Sequence, residues 1–359
     1  MLCIGRLNTE NGFCMKPTRF YYEAIFSQSL QWLSALMLAV LICNGVLFFY
    51  NRPTAFIDRT KASTNTIFYP GSTMLHGTEG HGYYTADRNG YLNPDLPRAK
   101  KYAVLVGASH TQGEEVSAGE RYADVLNSRL SDGSSLAAYV CAQDGLFLPK
   151  IIQNFRAVTE EFRDAQAIVI ETGHTQYSSD ELEKAMVQKE FDEKYLGANI
   201  AARMSGKEKL TIKVKEAFPF YTIAKNQITA YKAKGHEQSE TGDVDIKDYS
   251  KKMNRALALI RSEWKKPLII MYHPTVSVNP DGTMTAQKEK TDDAFKKLCA
   301  DNGIDFVNTG SVFEKAYREN YTVPYGFSDT SMGAGHLNAD GHRLVADALY
   351  GKLKEVLAQ

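Results

Sequence analysis

Five continuous apolar runs recur from residue 101 onward, and their alternation with helix-patterned stretches restricts the fold more than any other feature. The runs are "KYAVLVGA", "LAAYVCAQ", "AQAIVIETG", "KPLIIMYHP" and "IDFVNTG". A strand with one wet face alternates polar and apolar positions. A strand apolar at consecutive positions is buried on both faces, as in a parallel sheet covered by helices on each side. Between the runs, "GERYADVLNSRLSD" sets Tyr122, Val125, Leu126 and Leu130 at helical spacing, and "LPKIIQNFRAVTEEF", "VDIKDYSKKMNRALALIRSEW" and "EKTDDAFKKLCADNG" also read as helices. A closing helix carries Leu344, Val345, Leu349, Leu353 and Val356. The pattern predicts an α/β domain over residues 100–359. Its expected architecture is flavodoxin-like, a three-layer α/β/α arrangement around a parallel sheet of about five strands. Working groups of such sheets collect at the carboxyl ends of the strands.

Three segments depart from that rhythm. Residues 179–244 are charged and helix-forming, then polar, and read as a helical insertion that serves as a lid, a partner surface or a solvated decoration. Residues 52–99 carry turn chemistry in "YPGS", "HGTEGHG" and "DRNGYLNPD" and read as an irregular connecting segment. His76 and His81 lie there at a spacing that fits no familiar metal motif. Further upstream no charged residue occurs between Glu23 and Arg52. Within that gap "WLSALMLAVLICNGVLFFY", Trp32 to Tyr50, is apolar and long enough to cross a bilayer. Trp32 and Tyr50 sit where amphipathic rings favour the interface, and "FFYNRP" offers no small-x-small cleavage site. Residues 29–51 are therefore expected to be an uncleaved membrane anchor behind a cytoplasmic segment, 1–28. Basic residues flank the span on both sides (Arg6, Lys16 and Arg19 before, Arg52, Arg59 and Lys61 after), so the positive-inside rule barely orients it.

Composition excludes some classes of function. The 42 basic residues balance 42 acidic ones, and no basic patch interleaved with aromatics suggests nucleic acid. The five cysteines, Cys3, Cys14, Cys43, Cys141 and Cys299, form no CxxC or Cys/His zinc pattern. Cys141 and Cys299 are expected to be buried free thiols, with a bridge between them as the alternative, and neither a metal nor a cofactor is expected.

The chemistry-bearing residues sit at the expected strand ends. The first run ends in Gly107-Ala108-Ser109-His110-Thr111, the second leads to Asp144-Gly145, and the third ends in Glu171-Thr172-Gly173-His174-Thr175-Gln176. "GHLNADGH", Gly335 to His342, precedes the final helix. A serine hydroxyl needs a base within hydrogen-bond reach and donors for the developing oxyanion. His336 is the candidate base for Ser109. The main-chain N–H groups of Ser109 and Gly145 are candidate oxyanion donors, with Thr175 or Gln176 as a third. His110 and His174 are candidate substrate-binding residues or ordinary loop histidines. His273 is expected to be structural, and His342 to lie behind the site or at the surface. Rival motifs fail: the elbow G-x-S-x-G has Thr111 at its fifth position, and the P-loop spacing from Gly107 is one residue off and lacks its lysine.

These segments resemble the SGNH/GDSL hydrolases. "VLVGASHTQGEEV" is similar to the family's first block, "CAQDGLFL" to the second, whose key residue is a glycine, "IVIETGHTQ" to the third, and "GHLNADGHRLVADALY" to the fifth. The resemblance implies Ser109 as nucleophile, His336 as base, and an oxyanion hole from the Ser109 and Gly145 amides. Three positions depart from the pattern. Ala108 replaces the aspartate before the serine, Thr175 stands at the asparagine of the third block with Gln176 beside it, and Gly333 replaces the aspartate three residues before the histidine. Asp329 is the candidate substitute carboxylate, and without it Ser109 and His336 would form a dyad.

The resemblance also implies an O-acyl, above all acetyl, esterase or acyltransferase acting through an acyl-serine. Its expected substrate is an acylated glycan or other acyl ester at the cell surface. That role favours an extracytoplasmic domain, one membrane helix and a membrane acyl-transfer partner. The alternatives are a catalytically weak module that binds glycan or scaffolds an acylation complex, and a lipid esterase or thioesterase.

Overall fold

A computed structural model of the chain describes residues 19–52, 56–57, 67–93, 101–131, 136–188, 190, 205–225 and 244–357. The five apolar runs form one parallel sheet: β1 (Lys101–Gly107), β2 (Leu136–Ala142), β3 (Ala167–Thr172), β4 (Leu268–Tyr272) and β5 (Asp305–Asn308). Their spatial order is β5-β4-β3-β1-β2, the doubly wound order whose direction of growth reverses beside β1. Val104 pairs with Tyr139 and Ile168, and Ile170 with Ile270, so alternate residues of each strand reach opposite faces. Val104, Val106, Ile168, Ile170 and Ile270 enter one core, and Ala103, Leu105, Val169, Ile269 and Met271 the other.

Eleven helices are used below: α1 (Arg19–Tyr50), α2 (Ser109–Gln112), α3 (Tyr122–Ser131), α4 (Leu148–Gln153), α5 (Phe155–Glu161), α6 (Ser179–Ala185), α7 (Gly206–Ala217), α8 (Ile246–Glu263), α9 (Asp292–Asp301), α10 (Gly310–Asn320) and α11 (Ala339–Leu357). α4, α5, α6, α8 and α9 cover the first face. α3, α10 and α11 cover the second, and all five apolar residues expected on the last helix are buried there. Helix starts are chemically marked: Asp245 accepts the Lys247 N–H at the start of α8, and Ser178 with Glu181 forms a capping box on α6. The result is the expected three-layer α/β/α domain. Cys141 and Cys299 are both buried and form no disulfide with each other.

α1 is one helix long and apolar enough to cross a membrane, over Tyr22–Tyr50. At 1.5 Å per residue that stretch is about 44 Å long, against a hydrocarbon core of about 30 Å. Its side chains are exposed around the whole circumference, including Phe26, Leu33, Met37, Leu41 and Phe49. It is no core helix. It begins at Arg19, ten residues before the start expected at 29, because the helix-compatible sequence extends upstream of the apolar run.

Among the described residues of 52–99, short strands pair in place of the expected irregular connection. Thr73–His76 and Gly82–Thr85 pair as an antiparallel hairpin, and Phe56–Ile57 pairs with Ile67–Phe68. Phe68, Met74, Tyr84, Ala86 and Leu92 give this segment a small core of its own. Of the insertion, α6, α7 and a further helical stretch, 219–225, are described; 189, 191–204 and 226–243 lie outside the described residues, as does 1–18 upstream of α1.

Candidate active site

Ser109 opens α2 immediately after β1 ends. The turn that carries it rests on a buried carboxylate. Glu171 of β3 accepts the Ala108 N–H at 2.7 Å and the Thr111 hydroxyl at 3.1 Å, and meets His273 Nε2 at 2.7 Å. His273 Nδ1 lies 2.9 Å from the Tyr325 hydroxyl. Burial pushes the Glu171 carboxyl upward, but the His273 bond and charge, with the Ala108 and Thr111 donors, hold it below its ordinary range. It is a carboxylate at neutral pH. Gly107 has no space for a side chain here: a Cβ would fall 2.0 Å from Thr111 Oγ1 and 2.4 Å from Glu171 Oε2. The family-pattern aspartate is missing at Ala108, and a carboxylate from the adjacent strand holds that residue's N–H instead.

His336 Nε2 lies 3.0 Å from Ser109 Oγ. The loop bearing it is pinned by Asn338, whose amide donates to the Val323 and Gly326 carbonyls and whose Oδ1 accepts the Gly341 N–H. The expected orienting carboxylate, Asp329, is not at the histidine. Asp329 Oδ1 accepts the Gly80 N–H at 3.1 Å. Glu79 occupies the position instead: its Oε2 is 2.7 Å from His336 Nδ1, and its Oε1 accepts the His336 main-chain N–H at 2.9 Å. Because a carboxylate only accepts, the Glu79 contact places the imidazole proton on Nδ1. Nε2 is then free to accept the Ser109 hydroxyl proton.

Glu79 comes from the tip of the hairpin, and glycines let the tip approach. A Cβ on Gly335, at φ +82, would lie 2.2 Å from Glu79 Oε1, and one on Gly80, at φ +64, would lie 2.2 Å from the Glu115 carbonyl. The His81 N–H donates to that same carbonyl. The turn chemistry of "HGTEGHG" is thus the means of bringing a carboxylate to the site, and glycines flanking a single acidic residue are the signal the sequence offered.

A second carboxylate faces His336. Glu115 Oε1 is 3.5 Å from His336 Nε2. Burial lowers the His336 pKa, but Glu115 and Glu79 outweigh it, so the net shift is upward from 6.5. Glu115 itself is pushed up to about 7 by burial, opposed by His336. Burial likewise lifts its neighbour Glu114 to about 8. A cleft of about 400 Å³ opens beside Glu115, with His81, Phe327 and Met332 among its walls and Glu120 and Asp340 at its edge.

The remaining expected residues divide. Gly145, at φ +72, sits in the turn Gln143–Leu146 closed by the Leu146 N–H to the Gln143 carbonyl. The turn is fixed beside Ser109 because the Gln143 N–H donates to the Gly107 carbonyl and the Asp144 N–H to Gln112 Oε1. The Gly145 N–H takes part in none of these bonds. Thr175 is fully buried, its N–H donates to Glu289, and its hydroxyl lies between Glu289 and Asp292. Its donors are spent, which corrects the expectation of an oxyanion role. Gln176 also gives its N–H to Glu289. His174 Nδ1 pairs with Glu289 Oε1, and that bond raises its pKa. His110 lies against the rings of His273 and His336, at 4.4 and 5.1 Å between centroids, and its Nδ1 accepts the Leu337 N–H. Burial, reinforced by the neighbouring histidines, holds it well below its ordinary pKa, so it supports the base-bearing loop as a neutral ring. His342 is buried, accepting the Tyr122 N–H on Nδ1. Among the described residues no group of three or more His, Cys, Asp and Glu side chains converges as a metal site.

No family model matches the chain, and no curated protein matches it. Among solved structures it is similar to a carbohydrate esterase family 2 enzyme with a carbohydrate-binding domain from Corynascus thermopiles (Myceliophthora fergusii), at 14% identity and TM-score 0.39, covering 75% of this chain and 70% of that one. It is also similar to an acetyl xylan esterase, at 12% identity and TM-score 0.39 over 70% and 99% of the two chains. A third is a member of the lipolytic protein G-D-S-L family from Veillonella parvula, at 11% identity and TM-score 0.33 over 70% and 97%. At such identities and TM-scores these overlays bear no weight, and the chemistry of the site rests on its own geometry.

Proposed function

We propose that the chain is a serine esterase or acyltransferase of SGNH/GDSL type that forms an acyl-serine on Ser109, with His336 as base and Glu79 as its orienting carboxylate. The observation that carries this reading is the unbroken line from Glu79 through His336 to Ser109 Oγ, with contacts of 2.7 and 3.0 Å. Ser109 Oγ attacks the acyl carbonyl carbon as its proton passes to His336 Nε2. The resulting imidazolium lies between Glu79 and Glu115. The oxyanion is received by the main-chain N–H groups of Ser109 and Gly145. On collapse His336 returns the proton to the departing alcohol oxygen, leaving the acyl-serine. Water or a second hydroxyl then repeats the sequence, giving hydrolysis or transfer.

The position of α1 supports a reading of the substrate class. We read α1 as the membrane anchor and the domain as extracytoplasmic. Arg52, two residues after α1, exchanges two main-chain hydrogen bonds with Leu75. Leu75 is four residues before Glu79, so the two Cα atoms lie within about 14 Å of each other. A site held this near the bilayer suits an O-acetyl ester on a glycan at the cell surface, with a membrane acyl-transfer protein as partner if the reaction is transfer.

The test is turnover of a chromogenic acetyl ester by the full chain in nanodiscs, repeated with an O-acetylated glycan and with an added sugar acceptor. Release that disappears in Ser109→Ala and in His336→Ala supports the enzyme, and acyl appearing on the acceptor selects transfer. No turnover by the folded wild type contradicts it and leaves a glycan-binding module.

A further inference from the structure

α7 presents an apolar stripe that none of the described residues covers. Leu210, Val214, Phe218 and Tyr221 follow one another at helical spacing on α7 and the stretch 219–225, and are 66%, 50%, 49% and 63% exposed. They line an open groove of about 530 Å³, edged by Lys207 and Lys215. The helix carries four lysines against two glutamates.

The groove lies beside α1. The Asn44 amide donates to the Ala217 carbonyl at 3.0 Å, and its Oδ1 accepts the Phe220 N–H at 3.3 Å. Both partners are groups that helix ends leave over: Ala217 is the last residue of α7, and the proline that follows Phe218 cannot continue the ladder. An asparagine inside an apolar span is costly unless its amide is satisfied, and here the end of α7 satisfies it. Asn44 lies six residues before the end of α1. At 1.5 Å per residue it is about 9 Å from that end. Amphipathic helices at a membrane interface bury their apolar face about 5–10 Å into the boundary, with lysines reaching back to the headgroups.

We infer that α7 and residues 219–225 lie in the membrane–water interface, with the Leu210–Val214–Phe218–Tyr221 stripe in lipid and the lysines toward anionic headgroups. This inference rests on α1 spanning the bilayer. It makes the insertion a second membrane contact that fixes how the domain stands on its anchor.

The experiment uses the full chain in nanodiscs of phosphatidylcholine and phosphatidylglycerol, with the native cysteines replaced and one fluorophore-labelled cysteine at a time. Val214→Cys reports the stripe. Lys209→Cys reports a position about 140° round the helix, and Leu38→Cys the middle of α1. The expected result is quenching of the Val214 label by shallow spin-labelled lipid, of the Leu38 label by deep spin-labelled lipid, and of the Lys209 label by an aqueous quencher. Asn44→Ala should weaken lipid quenching at Val214 severalfold. A Val214 label open to the aqueous quencher while Leu38 is in lipid overturns the inference and leaves the anchor standing. A Val214 label shielded from both quenchers overturns it in favour of a protein partner or a second copy. A Leu38 label in water removes the anchor and the inference together.

Discussion

His336 makes its shortest contact with Glu79, and the neutral tautomer that this contact selects is the one a base for Ser109 needs. Loss of the carboxylate with its shape kept should therefore be costly. Glu79→Gln is expected to lower kcat on the order of 10²–10⁴-fold, as loss of an orienting carboxylate does elsewhere. Asp329→Asn, which weakens only the Gly80 tether, should cost less than about tenfold. Steady-state rates of the two variants separate them. The pH profile carries a second prediction. Catalysis needs neutral His336, whose pKa the carboxylates raise above 6.5, so kcat/KM should rise with pH through a pKa above that value. Glu115→Gln removes the largest of the raising influences and should move the acid limb to lower pH. An acid limb that stays in place would exclude Glu115 from contact with the base.

At the scale of elements, the sheet and its helices were legible because their signal is local: continuous apolar runs, helical spacing, and glycines at strand ends. Ser109 and His336, which the structure brings within 3.0 Å, could be singled out for the same reason, each lying in a short segment beside a strand end or helix start. Glu79 was not, because a hairpin 30 residues before the nucleophile reaches the site only through tertiary contact. Thr175 was misassigned because its neighbours Glu289 and Asp292 are distant in sequence. The hairpin account predicts that Gly335→Ala, which sets a methyl on the Glu79 carboxylate at a positive φ, loses activity about as Glu79→Gln does. Gly282→Ala, at φ +80 with open space around it, should cost about 1 kcal/mol in backbone strain and leave the rate unchanged. Turnover and thermal melts of the two variants make the comparison. His342 links α11 to α3 and gives the fold its own pH dependence. Burial depresses its pKa to about 3, so from 6.5 down to about 3 the unfolded chain takes up a proton that the folded one does not. Stability should fall with pH across that window. His342→Asn should flatten the slope of Tm against pH there while lowering Tm near neutrality.

At the scale of the whole molecule, α1, the hairpin and the sheet form one path: α1 leads to Arg52, Arg52 pairs with Leu75, and that strand ends at His76, three residues before Glu79 at the hairpin tip. Shortening the molecule from its N-terminus past Arg52 therefore removes a strand partner of the hairpin as well as α1. Activity of the full chain in a bilayer is the relevant quantity. The central claim is that Glu79 activates His336 toward Ser109. It is tested most directly by the rate at which a serine-directed fluorophosphonate labels the full chain in nanodiscs, read by peptide mass. The account predicts one modified residue, Ser109, with labelling abolished in His336→Ala, slowed at least about 100-fold in Glu79→Gln and nearly unchanged in Asp329→Asn. Labelling of the folded wild type at another residue, or at Ser109 with equal rates in wild type and Glu79→Gln, would contradict it.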